Sequence, residues 1–173
     1  MDQRELADLI RPALAGAAAG GTWADLGAGE GNFTVALRTL LPEARLIAVD
    51  RDGRALEHLS RRLPEAEVRR ADFREPLGLS ALDGVLMANA LHFLSDKRPV
   101  LELVRGYLRP GGRLVIIEYG ADRGNPWVPH PFSFPTWQRM AEAAGFIDVR
   151  EAGAVPSRYL GSMYCAWCVT PAA

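Results

Sequence analysis

The stretch Thr22-Trp23-Ala24-Asp25-Leu26-Gly27-Ala28-Gly29-Glu30-Gly31-Asn32-Phe33-Thr34 decides how the chain is read. A short run with Trp23 and Leu26 gives way to three glycines at alternate positions, then to a segment with helical spacing of apolar residues. The pattern is strand, tight turn, helix. Glycine at 27, 29 and 31 removes Cβ where the backbone must bend sharply or approach a ligand. Asn32 is placed to cap the helix, since its side chain can accept from a free N–H of the first turn. Such a unit suits a nucleotide-like ligand at the carboxyl end of the strand. The spacing departs from the dinucleotide fingerprint G-x-G-x-x-G, because Asn32 stands where the third glycine would fall.

Outward from this turn the chain alternates strands and helices. Arg45–Asp50 reads as a second strand, apolar almost throughout, as a buried parallel strand should be. It ends in Asp50, about twenty residues past the glycines, a spacing that suits ribose hydroxyls. A helix over Arg54–Leu63 leads to a third strand, Glu67–Ala71, ending at Asp72-Phe73. Leu82–Leu94 gives a fourth strand and the turn after it, and Lys97–Tyr107 a helix. In Leu108-Arg109-Pro110-Gly111-Gly112-Arg113-Leu114-Val115-Ile116-Ile117-Glu118-Tyr119 a Pro-Gly-Gly turn precedes a β-branched buried strand. A helix over Pro135–Ala144 stops at Gly145, and Phe146–Ala152 and Gly161–Val169 read as an antiparallel pair. Before the first strand, Leu6, Leu9, Ile10 and Leu14 keep a helical period over Glu5–Leu14, which Pro12 should bend or shorten.

Asp-Leu-Gly-Ala-Gly-Glu-Gly at 25–31 resembles the first motif of the class I S-adenosylmethionine-dependent methyltransferases, and Leu-Arg-Pro-Gly-Gly-x-Leu-Val-Ile at 108–116 resembles a segment frequent in their small-molecule members. The resemblance covers Thr22 to about Val149. It implies a doubly wound, Rossmann-like α/β/α fold with seven strands in the order 3-2-1-4-5-7-6, strand seven antiparallel. It also implies S-adenosylmethionine as cofactor, with Asp25 on the methionine ammonium, Gly27, Ala28, Gly29 and Gly31 under the methionine and ribose, and Asp50 and Arg51 at the ribose edge. Asp72 would accept from the adenine amino group, Phe73 would meet the ring, and Asn89 and Ala90 would lie near the methionine portion. Leu91 and His92 would face cofactor or substrate. The Asn-Pro-Pro-Tyr tetrad of nucleic-acid amino methyltransferases is absent; Asn89-Ala90-Leu91-His92 stands in its place. The acceptor is therefore expected to be a small molecule.

Composition bounds the rest. The 173 residues are expected to form one domain, 1–173, with 49% hydrophobic and 24% charged residues. A net charge of −1 argues against a nucleic-acid partner. With neither a membrane-length apolar run nor a signal-like start at Met1-Asp2-Gln3-Arg4-Glu5, a cytoplasmic location is expected. Cys165 and Cys168 have C-x-x-C spacing, but on a strand they point to opposite faces and no second pair exists, so no metal site is expected.

An imidazole is the side chain suited to proton transfer near neutrality, and His92 follows a strand end, which makes it the candidate general base, with His130, Tyr119 and Glu118 as rivals. Gly120–Phe132 is a proline-rich irregular segment, expected to be held down by Trp127 if it is only a surface loop. About twenty residues precede the glycine turn, so the pocket is expected to be shallow or completed by a second copy or a partner subunit. Two other function classes stay open at this point: a cofactor-binding scaffold without activity, and a nicotinamide- or flavin-dependent oxidoreductase on a similar sheet.

Overall fold

Strand β1 (Thr22–Leu26) buries every residue but its first, which suits a strand with neighbours on both edges and helices on both faces. In the computed structural model, which describes residues 1–173, β1 pairs in parallel with β2 (Arg45–Asp50) on one side and β4 (Leu82–Ala88) on the other. β3 (Glu67–Arg70) extends the sheet beyond β2, and β5 (Leu108–Tyr119) lies beyond β4. The hairpin of β6 (Ile147–Ser157) and β7 (Gly161–Val169) closes the far side, with β7 antiparallel to both β5 and β6. The order is the expected β3-β2-β1-β4-β5-β7-β6.

Helices cover both faces. Leu6 and Ile10 of α1 (Gln3–Ile10), Leu37 of α2 (Asn32–Leu40) and Leu59 of α3 (Gly53–Arg62) share one apolar layer with Trp23, Leu46, Leu86 and Val115. Val104 of α4 (Arg98–Tyr107) and Trp137 of α5 (Phe134–Ala143) share the other with Leu26, Val49, Met87 and Ile116. Cys165 and Cys168 are buried in opposite layers, as strand alternation requires. Gly84 is forced by this packing: a Cβ there would sit 2.3 Å from the Trp23 ring. The strand order reverses between β1 and β4, so a crevice opens at the carboxyl ends of the strands, where ligands of open α/β sheets bind.

Several local expectations need correction. Asn32 does not cap α2. Gly31 occupies the cap in the left-handed region, with φ of 81°, and the Asn32 side chain accepts from Arg62 instead. Leu59 fixes that outcome, since a Cβ on Gly31 would fall 2.5 Å from its Cγ. The first helix begins earlier than its apolar period suggests, because Asp2 and Glu5 form a capping box. It ends at Ile10, and Pro12 opens a separate 3-10 turn, Pro12–Leu14. β6 runs on to Ser157 because β7 supplies hydrogen-bonding partners along that whole length.

The Gly120–Phe132 segment is not anchored by Trp127, which is 72% exposed. Val128 and Phe132 bury themselves, and Asn125 ties the loop together, accepting from the N–H groups of Trp127 and Val128 and donating to the Tyr159 carbonyl.

Candidate active site

Two adjoining cavities occupy the crevice, and Gly27 and Asn89 line both. The first, about 680 Å³, is bounded by Asp25, the glycine turn, Tyr119 and the β6–β7 turn at Arg158-Tyr159. The second, about 540 Å³, is bounded by Asp50-Arg51-Asp52, Ala71 to Arg74, Asn89-Ala90 and Phe93-Leu94. The structure thus brings Asp25, Gly27, Ala28, Gly29, Asp50, Arg51, Asp72, Phe73, Asn89 and Ala90 to one crevice. Gly31 lines neither cavity, and its role is to turn the chain into α2.

Gly27, with φ of 82°, is required both by its conformation and by its neighbours. A Cβ would lie 3.0 Å from the Ala90 methyl and 3.4 Å from the Phe73 ring. Four backbone donors of the turn are already committed. Gly27 and Ala28 donate to the Val49 carbonyl, at 2.8 and 3.1 Å, and Gly29 donates to Asp50 at 2.8 Å. Gly31 donates to the Ala28 carbonyl. A pyrophosphate-binding turn would instead aim free N–H groups at its ligand.

Asp25 is buried beneath the turn. One carboxylate oxygen accepts from the Thr34 hydroxyl at 2.7 Å, and the other has no partner at all. Burial pushes this carboxyl up from 3.8 to about 7, against the opposing pull of Thr34 and with some help from the charge of Asp50. A buried acceptor without a donor costs roughly 1–3 kcal/mol, so the site is built to receive a donor. Asp50 is held in the opposite way: besides Gly29, it accepts from the Asp52 N–H at 2.8 Å, which fixes its carboxylate at the rim. Asp72 is forked by the Arg74 guanidinium, which holds its carboxyl down at about 2. It reaches the second cavity as an ion pair rather than a free acid.

Asn89 adopts φ of 51°, and its buried side-chain oxygen also lacks a partner. His92 is the main correction. Its side chain is buried and lines neither cavity. Nδ1 is held 2.8 Å from the Glu118 carboxylate, and the ring packs against Phe93 and the edge of Tyr119. The turn after β4 tucks the ring inward, while Phe93, the next residue, takes the exposed place. His130 does not line the crevice either; its N–H donates to the His92 carbonyl. Thr34, Met163 and Phe33 are contributors that motif reading missed. They come from the first turn of α2 and from β7, and no spacing rule links them to Asp25.

The profile of the methyltransferase domain family matches residues 24–114, more than half of the chain. The chain belongs to the class I S-adenosylmethionine-dependent methyltransferases. A trans-aconitate 2-methyltransferase of Azoarcus sp. is 31% identical over 133 residues, which make up 77% of this chain and 49% of that protein. An uncharacterized methyltransferase of Mycobacterium tuberculosis is 37% identical over 107 residues, 60% of this chain and 42% of the relative. The chain therefore spans about half the length of the curated relatives it matches. Among solved structures, the YcgJ protein of Bacillus subtilis superposes with a TM-score of 0.75 at 14% identity, covering 98% of this chain and all of that one. Human N-acetylserotonin methyltransferase, solved with its cofactor, gives 0.73 at 18% identity over 96% of this chain and 52% of its own. Both are likenesses of fold. No helix of the chain is long and apolar enough to cross a membrane.

Proposed function

We propose that this domain carries a methyl group from S-adenosylmethionine to the carboxylate of a small organic acid. One observation carries the cofactor half of the reading: the buried, unpartnered oxygen of Asp25 lies against the first cavity, beneath a turn in which the N–H groups of Gly27, Ala28, Gly29 and Gly31 are engaged within the protein. That arrangement suits an ammonium, while the engaged glycine donors are not aimed at a pyrophosphate, which disfavours the oxidoreductase reading. Asp25 would hold the methionine ammonium, Asn89 would accept from the same portion, and Asp50 would accept from the ribose hydroxyls. Phe73, Ala90, Arg51 and Phe93 would enclose the adenine, with Asp72 beside its amino group. When bound, S-adenosylmethionine supplies an electrophilic methyl carbon, displaced with its bonding pair left on sulfur.

The acceptor class follows from the walls of the first cavity. Tyr119, Tyr159, Phe33 and Met163 give it apolar surfaces among polar walls, and Arg158 is its one side-chain cation. Arg158 has no salt-bridge partner and is free to hold an anion. No imidazole, thiol or lysine side chain lines the cavity, Asp25 is reserved for the cofactor, and the other carboxylate, Glu30, is exposed on the glycine turn. An acceptor already ionised at neutral pH needs no proton removed, so a carboxylate oxygen suits these walls better than an alcohol or amine. Positioning then supplies the rate. The trans-aconitate methyltransferase among the relatives, named for an organic-acid substrate, supports the same class.

A cytoplasmic location belongs to the proposal. So does a second copy or a further segment covering the open mouth near Arg158 and Tyr159. The test is calorimetry with S-adenosylmethionine, S-adenosylhomocysteine and NADH, followed by mass spectrometry of a panel of carboxylic acids, alcohols and amines. Binding of the first two ligands and methyl esters among the acids are expected. NADH binding alone would overturn the cofactor assignment. Binding without any product would favour a non-catalytic scaffold, and an amine or alcohol product would overturn the acceptor class.

A further inference from the structure

Glu118 lies near the end of β5 with 0% exposure and lines neither cavity, yet four donors converge on it. One oxygen accepts from three consecutive backbone N–H groups, those of Ala90, Leu91 and His92, at 3.1, 2.8 and 3.2 Å. The other is 2.8 Å from His92 Nδ1. A carboxylate only accepts, so it alone among side chains of this length satisfies all four donors. Three successive N–H groups aimed at one anion form a nest, and the chain forms one here because Asn89 turns into the left-handed region just as β4 ends. Asn89 itself still donates to the Ile117 carbonyl at 2.8 Å, so the β4–β5 ladder runs to the last residue before the nest.

The residues shaped by this contact are those that wall the cofactor side of the crevice. Asn89 and Ala90 line the second cavity and Phe93 closes its rim. The Ala90 methyl also abuts the Cβ-free face of Gly27, so the nest sets how closely this turn meets the glycine turn. We infer that Glu118 is the positioning residue of the cofactor wall: it folds Asn89-Ala90-Leu91-His92 around its own carboxylate and thereby places the adenosine contacts without touching the ligand. His92 serves as one of its four donors.

This inference rests on the cofactor reading above, so the test separates the two. Affinities for S-adenosylhomocysteine and for 5′-methylthioadenosine, which lacks the amino-acid portion, are measured on wild type, Glu118→Gln, His92→Gln and Asp25→Asn, with thermal melts to confirm folding. Glu118→Gln should weaken both ligands by about 10-fold or more, since its neutral amide holds the three N–H groups poorly. His92→Gln should stay within about 3-fold for both, because the three amides keep their acceptor. Asp25→Asn should weaken only the ligand that carries an ammonium. A folded Glu118→Gln protein that binds 5′-methylthioadenosine like wild type would overturn the inference. So would equal losses in Glu118→Gln and His92→Gln. Amide hydrogen exchange supplies a readout free of ligand: in wild type the N–H groups of Ala90, Leu91 and His92 should exchange as slowly as those of the central strands, although they lie in a turn. Fast exchange there would refute the nest, even if Glu118→Gln fails to fold. If wild type binds neither ligand, the cofactor reading falls while the exchange result still decides the claim about Glu118.

Discussion

Replacing Asp25 by Asn should stabilise the unliganded protein while crippling cofactor binding, and the size of the first effect should depend on pH. Burial raises the Asp25 carboxyl from 3.8 to about 7 in the folded state. The folded protein therefore binds a proton that the unfolded chain releases, and stability falls as pH rises between those two values. At about 1.4 kcal/mol for each pH unit, the penalty is roughly 2 kcal/mol at about pH 5 and roughly 4 kcal/mol at about pH 8. Asn keeps an acceptor for Thr34 but places an amide N–H where the orphan oxygen was, which costs about 1–3 kcal/mol at any pH. The net gain at pH 8 is thus about 1–3 kcal/mol, and the difference between variant and wild type should be about 2–3 kcal/mol larger at pH 8 than at pH 5. Denaturant unfolding of both proteins at the two pH values measures this directly. Affinity for S-adenosylhomocysteine should fall by about 10-fold or more in the variant, since a charge-assisted bond to its ammonium is lost. A stability difference that stays constant across pH would refute the claim that Asp25 is a strained, buried acid waiting for a cation.

Wild-type affinity for S-adenosylhomocysteine should weaken as pH drops below about 7, because Asp25 then protonates; titration calorimetry across that range would show a flat profile if another group held the ammonium. Asp50→Ala should weaken cofactor by about 1.5–3 kcal/mol, since it removes a charged acceptor and also frees the Gly29 and Asp52 N–H groups. Gly31→Ala should cost about 2–4 kcal/mol of stability by thermal or chemical melts, because the left-handed cap and the Leu59 contact both oppose a side chain. Arg158→Ala should raise KM for an acidic acceptor about 5- to 30-fold with kcat little changed, and a matched effect on a neutral acceptor would remove Arg158 from recognition.

The parts of this molecule legible in its sequence are those set by short-range pattern. The glycine turn, the apolar β2 run and the Pro-Gly-Gly before β5 each constrain their own segment strongly, and their spacing allows few topologies. The acids at the ends of β1, β2 and β3 could be placed because a strand end fixes where its last side chain stands. The fate of His92 was not legible, because whether a side chain after a strand end points outward or inward depends on a partner 26 residues away, Glu118. The same holds for Thr34 beneath Asp25, and for Gly31 displacing Asn32 from the cap through contact with Leu59 on another helix. Asp72 was found by position, but its neutralisation by Arg74 is a matter of side-chain conformation.

The most direct test of the account is a crystal structure with S-adenosylhomocysteine bound. It should show the amino group on the free oxygen of Asp25, the ribose on Asp50 and the adenine between Phe73 and the Asn89-Ala90 wall, with the sulfur facing Tyr119 and Arg158. A nucleoside bound outside this crevice, with Asp25 still lacking a donor, would contradict it.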